Sequence, residues 1–109
     1  MSRIVELSAP QFARFVAKGS SVVLFSASWC KPCQEMKPVF HALEEKLHAL
    51  ASFGKIDIAV SPTIAQMYGI RAVPSLAVFH QGRLLRVMPG SRSVAALKKS
   101  VLAQLEEAR

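Results

Sequence analysis

No run of this sequence is apolar for long enough to cross a bilayer: the best one, Val-Val-Leu-Phe at 22–25, is a fraction of the about 20 residues a membrane helix needs. The N-terminal stretch, punctuated by Arg3, Glu6, Arg14 and Lys18, lacks the continuous apolar segment of a secretion signal. The expectation is a cytoplasmic protein with no membrane contact. Cysteine is equally scarce. The two present, Cys30 and Cys33, cannot form the several well-separated bridges that staple a small secreted domain. A bridge between them closes so short a loop that it hardly constrains the unfolded chain. Such a bond makes better sense as one that opens and closes. Two cysteines are at most half a zinc site, and His41, His48 and His80 stand at no metal-finger spacing from them. No metal is expected, and the histidines read as surface or ordinary helix and strand residues.

Acidic residues are outnumbered, seven against fourteen Lys and Arg, for a net charge of +7. Such an excess can favour acidic partners or anionic surfaces. The basic residues are scattered, however; the longest run is Lys98-Lys99, and no basic stripe interleaved with aromatics offers bases a stacking platform. Nucleic acid is therefore not an expected partner, and the charge reads as solubility plus a bias in partner choice. Aromatics are only 7% of the chain, and Gly and Pro number 5 and 6. No repeat, linker or low-complexity stretch appears. With half its 109 residues apolar, the chain suits a single domain over 1–109 with one core.

What is present is a series of short periodic segments. Residues 3–7 alternate as a short edge strand would, and Ser8 stands where it can cap a helix over 9–18 that buries Phe12, Phe15 and Val16. Gly19 ends it. Residues 21–26 form a continuous apolar strand of the kind buried on both faces in a parallel sheet. A long helix is expected from about Cys30, with Met36, Val39, Phe40, Leu43, Leu47 and Leu50 at helical spacing and a kink rather than an end at Pro38. Residues 53–60 read as a strand, 62–68 as a short helix closed by Gly69, and 75–80 and 83–88 as a hairpin turned at Gln81-Gly82. Ser93 can cap a last helix that buries Leu97, Val101 and Leu105.

The chemistry concentrates where the buried strand meets the long helix, at Ser28-Trp29-Cys30-Lys31-Pro32-Cys33. A cysteine at a helix N-terminus faces unpaired N–H groups and the positive end of the helix dipole, which favour its thiolate near neutral pH. Two intervening residues bring the second sulfur within bonding reach in the first turn, and Pro32 fits there because that turn has N–H groups to spare. Lys31 adds a positive charge beside Cys30, although on its own it could be a solvated side chain. Trp29 taken alone could be a core aromatic; beside Cys30 it belongs to the site.

Trp29-Cys30-Lys31-Pro32-Cys33 resembles the active site of the thioredoxin family, whose usual version has Gly at the position of Lys31. The resemblance extends along nearly the whole chain: Tyr68-Gly69-Ile70-Arg71-Ala72-Val73-Pro74-Ser75 resembles the family's loop ending in a cis proline, Val78-Phe79 with Gln81-Gly82 its hairpin, and Pro89-Gly90-Ser91 its groove glycine. It implies a thioredoxin fold, an α/β domain whose mixed five-stranded sheet, in the order 1-3-2-4-5, is flanked by four helices. It also implies reduction of protein disulfide substrates by a redox-active Cys30-Cys33 pair without a bound cofactor. Electrons would come from NADPH through a thioredoxin reductase, a flavoprotein, and the chain would act as a monomer. Carried over by position, Cys30 would be the exposed nucleophile and Cys33 the shielded resolving thiol. Trp29, Ile58, Val73, Pro74 and Gly90 would form an apolar groove for the substrate backbone, with Lys31, Arg71 and Arg92 at its rim. Pro74 would also keep metal from the thiols.

One departure stands out. Where thioredoxins have a buried aspartate, this chain has Leu24, and the lysine that normally faces that acid persists as Lys55, expected to be without its partner. A leucine in a central strand needs no further explanation on its own. Two other functions suit the same residues: a specialised thioredoxin-like oxidase or isomerase of more oxidising potential, and a thioredoxin-fold binding module whose cysteines are incidental.

Overall fold

The computed structural model describes residues 3–108. In chain order they form β1 (Val5–Glu6), α1 (Ala9–Ala17), β2 (Ser20–Ser26), α2 (Lys31–Leu47), β3 (Ser52–Asp57), α3 (Pro62–Met67), β4 (Ser75–His80), β5 (Arg83–Pro89) and α4 (Val94–Glu107). The five strands make one sheet in the order β1-β3-β2-β4-β5. β1 and β2 run parallel to β3, while β4 is antiparallel to both β2 and β5. This is the thioredoxin fold with the strand order expected.

Each element begins and ends for a local reason. Gln11 Oε1 accepts the Ser8 backbone N–H at 3.1 Å, which fixes the start of α1, and Ser93 Oγ accepts the Ala96 N–H at 3.1 Å to start α4. α2 runs through Pro38 without ending, because packing along its whole buried face outweighs one lost backbone hydrogen bond. β3 stops at Asp57, short of the expected Val60: the Asp57 carboxylate accepts the Ala59 N–H at 2.8 Å and turns the chain there. Leu50, expected on the helix stripe, lies beyond the end of α2 and is 55% exposed.

Alternation along the strands sends side chains to two separate cores. Val22, Leu24, Phe53, Leu76, Val78 and Met88 meet α2 and α4 on one face. On the other, Val23, Phe25, Ile56, Ala77 and Phe79 meet α1 and α3. Gly54 of β3 allows the second layer to close, since a Cβ there would stand 2.8 Å from Leu7 Cδ1 and 3.1 Å from the Phe15 ring. The strands β2 and β3, buried on both faces, point their C-terminal ends at the same edge of the molecule, and the cysteines follow directly from β2.

Candidate active site

Cys30 is the N-cap of α2, in an extended conformation, with its Sγ accepting the Cys33 backbone N–H at 3.2 Å. A sulfur held there lies against the open N–H groups of the first turn and the positive end of a helix of 17 residues, surroundings that favour a thiolate. Lys31 and Pro32 occupy the first turn and are exposed. The Cys30 and Cys33 sulfurs are bonded to each other across a Cα separation of 5.2 Å. Cys30 is not the exposed residue expected: with the disulfide closed both cysteines are buried in one apolar cluster, Cys30 keeping 6% of its surface and Cys33 none.

The loop before β4 comes to meet the pair. Val73-Pro74 is a cis peptide, and the Val73 carbonyl lies 3.8 Å from Cys30 Sγ. Ser75 Oγ donates to the Ala72 carbonyl at 2.6 Å, which ties the loop down from within. Val73 and Ile58 pack together against Ala27, Cys30 and Cys33. Gly90 joins from the end of β5 by donating its N–H to the Pro74 carbonyl at 2.8 Å, with φ at +86° and open space where a Cβ would stand. It is the left-handed backbone, not crowding, that favours glycine there. Ile58 and Val73 thus pack beside the disulfide, while Pro74 follows Val73 in the chain and Gly90 is joined to Pro74 by one hydrogen bond. Trp29 precedes Cys30 and is 71% exposed, an arrangement foreign to a core aromatic. Arg71 and Arg92 are exposed on the loops that carry Val73 and follow Gly90.

A family model for thioredoxin matches residues 3–103. The chain belongs to the thioredoxin family. The thioredoxin of Buchnera aphidicola subsp. Schizaphis graminum is 33% identical over 100 residues, 90% of this chain and 93% of that one. That of Chlamydia caviae is 35% identical over 77 residues, 71% of this chain and 74% of its own. A crystal structure of Malassezia sympodialis thioredoxin, 28% identical, superposes with a TM-score of 0.85 over 96% of this chain and 93% of that one. With the bonded cysteine pair, this makes the chain a thiol-disulfide oxidoreductase of the thioredoxin type, a class that acts on protein disulfides and carries no prosthetic group. Neither an incidental cysteine pair nor a specialised oxidase or isomerase is favoured by these likenesses. Among the described residues no group of His, Cys, Asp and Glu is placed to hold a metal ion, and no helix is long and apolar enough to cross a membrane.

The thioredoxin departure at Leu24 takes a definite form. Leu24 is 1% exposed and packs with Met36, Phe40 and the rest of the α2 and α4 core. The register aligns Glu6, Lys55, Leu24, Leu76 and Met88 in one row across the sheet. Lys55, expected to be without a partner, has one: its Nζ lies 3.9 Å from Glu6 Oε1 on the adjacent strand. The carboxylate missing from the centre of the row is supplied at its edge, where the side chain of Glu6 is 81% exposed and the pair correspondingly weak. Pairing two strands apart in sequence carries no local signal, so Glu6 was invisible until β1 was placed beside β3. The same holds for Glu44 of α2, which is 1% exposed and bonded to Arg3 Nη1 at 2.8 Å.

Proposed function

We propose that Cys30 attacks protein disulfides as the thiolate and that Cys33 resolves the resulting mixed disulfide, leaving the substrate reduced and the Cys30-Cys33 bond formed. The observation that carries this reading is the placement of the two sulfurs: Cys30 caps α2 with a backbone N–H 3.2 Å from its sulfur and retains some exposed surface, whereas Cys33 is wholly enclosed. A thiolate at a helix N-terminus is available to attack, and a shielded thiol reacts only with what is already bound beside it. In this reading Trp29, Ile58, Val73, Pro74 and Gly90 receive an extended stretch of substrate, and Pro74 denies the sulfurs to metal ions. Lys31, together with Arg71 and Arg92, biases the choice among substrates through charge. Reducing equivalents come from NADPH through a flavoprotein thioredoxin reductase, and the protein works as a monomeric domain spanning 1–109 in the cytoplasm.

The test is insulin reduction by dithiothreitol, followed by turbidity. The wild-type chain accelerates it, and Cys30→Ser abolishes the acceleration. Cys33→Ser accumulates substrate as mixed disulfides. If Cys30→Ser were the variant that trapped substrate, the two roles would be reversed. Reduction of the oxidised protein by NADPH and a thioredoxin reductase, read at the nicotinamide absorbance, checks the electron source.

A further inference from the structure

The row containing Leu24 and Lys55 borders a polar cleft of about 150 Å³, roomy enough for several water molecules. The register partners Ser26 and Asp57 line it together with Lys55 and Glu6, and Lys37 lines it from α2. Cys33 is among its lining residues and has no exposed surface while the disulfide is closed.

We propose that Asp57 accepts the proton of Cys33, through water in this cleft, when the mixed disulfide is resolved. The proposal rests on the assignment of Cys33 as the resolving thiol. Resolution requires a thiolate, and the buried position from which a carboxylate serves thioredoxins is an aliphatic Leu24 here. Asp57 and Glu6 are the two carboxylates that line the cleft. Glu6 is mostly in solvent and is held to Lys55. Asp57 stands two register positions beyond Lys55 toward the cysteines, opposite Ser26, which immediately precedes Ala27 of the sulfur cluster. Its Oδ1 takes the Ala59 N–H, and among the described residues it forms no ion pair, so its other oxygen is open to water.

In the mixed disulfide Cys33 is no longer bonded to Cys30 and can turn its thiol to the cleft wall. The proton passes through water to the Asp57 carboxylate, and the Cys33 sulfur attacks Cys30 Sγ. The Cys30-Cys33 bond forms as the bond from Cys30 to the substrate sulfur breaks, and the electron pair leaves with that sulfur, which is protonated by solvent. Asp57 then returns its proton to bulk water along the cleft. No external oxidant or reductant enters: the protein dithiol is oxidised as the substrate disulfide is reduced.

Electrostatics alone predicts the opposite sign from proton transfer, which makes the idea testable. Removing a negative charge near Cys33 favours its thiolate and would speed resolution; removing a proton acceptor slows it. The measurement is the reaction of the reduced protein with 5,5′-dithiobis(2-nitrobenzoate), in which Cys30 releases the first thionitrobenzoate and Cys33 the second. Asp57→Asn keeps the acceptor for the Ala59 N–H, so the fold and the first release are expected to be unchanged. The second release is expected to fall by about 100-fold at about pH 6, the lower range for loss of a general base. Its rate should then climb steeply with pH and converge on that of the wild type in alkali, whereas the wild-type profile stays shallow. Glu6→Gln removes the same charge from the same cleft and is expected to change the second release by less than about threefold, as fits an exposed carboxylate. An unchanged or faster second release in Asp57→Asn, or an equal slowing in Glu6→Gln, overturns the proposal. A first release that survived in Cys30→Ser and was lost in Cys33→Ser would instead sink the assignment of roles, and this inference with it.

Discussion

The two faces of the sheet each bury an apolar core, but the cores are built from different materials. The face under α1 and α3 is aromatic: Phe12 packs against Phe25, Tyr68 and Phe79 with ring centroids 5.5–6.1 Å apart, and no ionisable carboxylate or amine belongs to its core. The face under α2 and α4 is mainly aliphatic, and at its margins it carries charge: Glu44 with Arg3 at one end, Lys55 with Glu6 toward the other. The helix that begins at Cys30 packs only on this second face. The difference teaches a division of labour in which one layer anchors the sheet through aromatic packing, while the other carries ion pairs at its margins and packs the helix that presents the cysteines.

Truncating the anchor is the most damaging way to break that division. Phe12→Ala removes the ring at the centre of the aromatic cluster and should cost about 3–5 kcal/mol in chemical denaturation, with the reactivity of Cys30 unaltered in whatever fraction remains folded. An equal loss of Cys30 reactivity in the folded fraction would show that the two faces are not separate. The next largest effect is expected from moving charge into the aliphatic face. Leu24→Asp buries a carboxylate beside Lys55 and should destabilise the protein by about 1–3 kcal/mol. In the folded variant the Cys30 pKa should rise, and the potential should become more negative by roughly 30 mV for each unit of that rise. Resolution by Cys33 should also be faster. If none of the three moves, Leu24 is a core leucine without influence on the sulfurs.

The Arg3–Glu44 pair sharpens the comparison at a smaller scale. Arg3→Ala strands a buried carboxylate, and because the side chain of Arg3 is 56% exposed the expected cost is about 1–2 kcal/mol, below that of breaking a fully buried pair. Glu44→Gln removes the charge and keeps the shape, so it should cost less than Arg3→Ala; the reverse order in urea melts would mean that the pair stabilises chiefly through its Coulomb energy. Smallest of all is the effect of the rim. Reversing Arg71 and Arg92 to Glu should slow reaction with acidic substrates several-fold at low salt and have little effect in high salt or on stability. Equal rates for acidic and basic substrates in both proteins would remove the rim from substrate choice.

Much of this was legible from residue order because the signals are local. The caps at Ser8 and Ser93, the stripes on α1 and α4, the hairpin at Gln81-Gly82 and the double-sided burial of β2 each depend on neighbours within a few positions. So does the placing of Cys30 and Cys33 at a strand-to-helix junction. Misreadings arose where a side chain answered to something distant or to its own backbone. Asp57 ended β3 by bonding the Ala59 N–H, and Leu50 fell past the last turn of α2. Glu44 carries no local signal of burial, because its partner Arg3 lies 41 positions away.

The order of residues by itself determined the chemistry available to this protein: one dithiol, placed where a helix N-terminus favours an anion, and a strand with leucine where thioredoxins keep an acid. Those are properties of covalent spacing and local backbone geometry. Tertiary structure alone decided which groups surround the sulfurs. Val73 reaches Cys30, and Gly90 reaches Pro74, only because β4 lies antiparallel beside β2, with β5 on its outer edge. Glu6 meets Lys55, and Asp57 meets Ser26 at the same cleft, only because β3 lies parallel between β1 and β2. Sheet register joins residues tens of positions apart through backbone hydrogen bonds that are the same for every side chain, so the sequence carries the partners without indicating that they will meet.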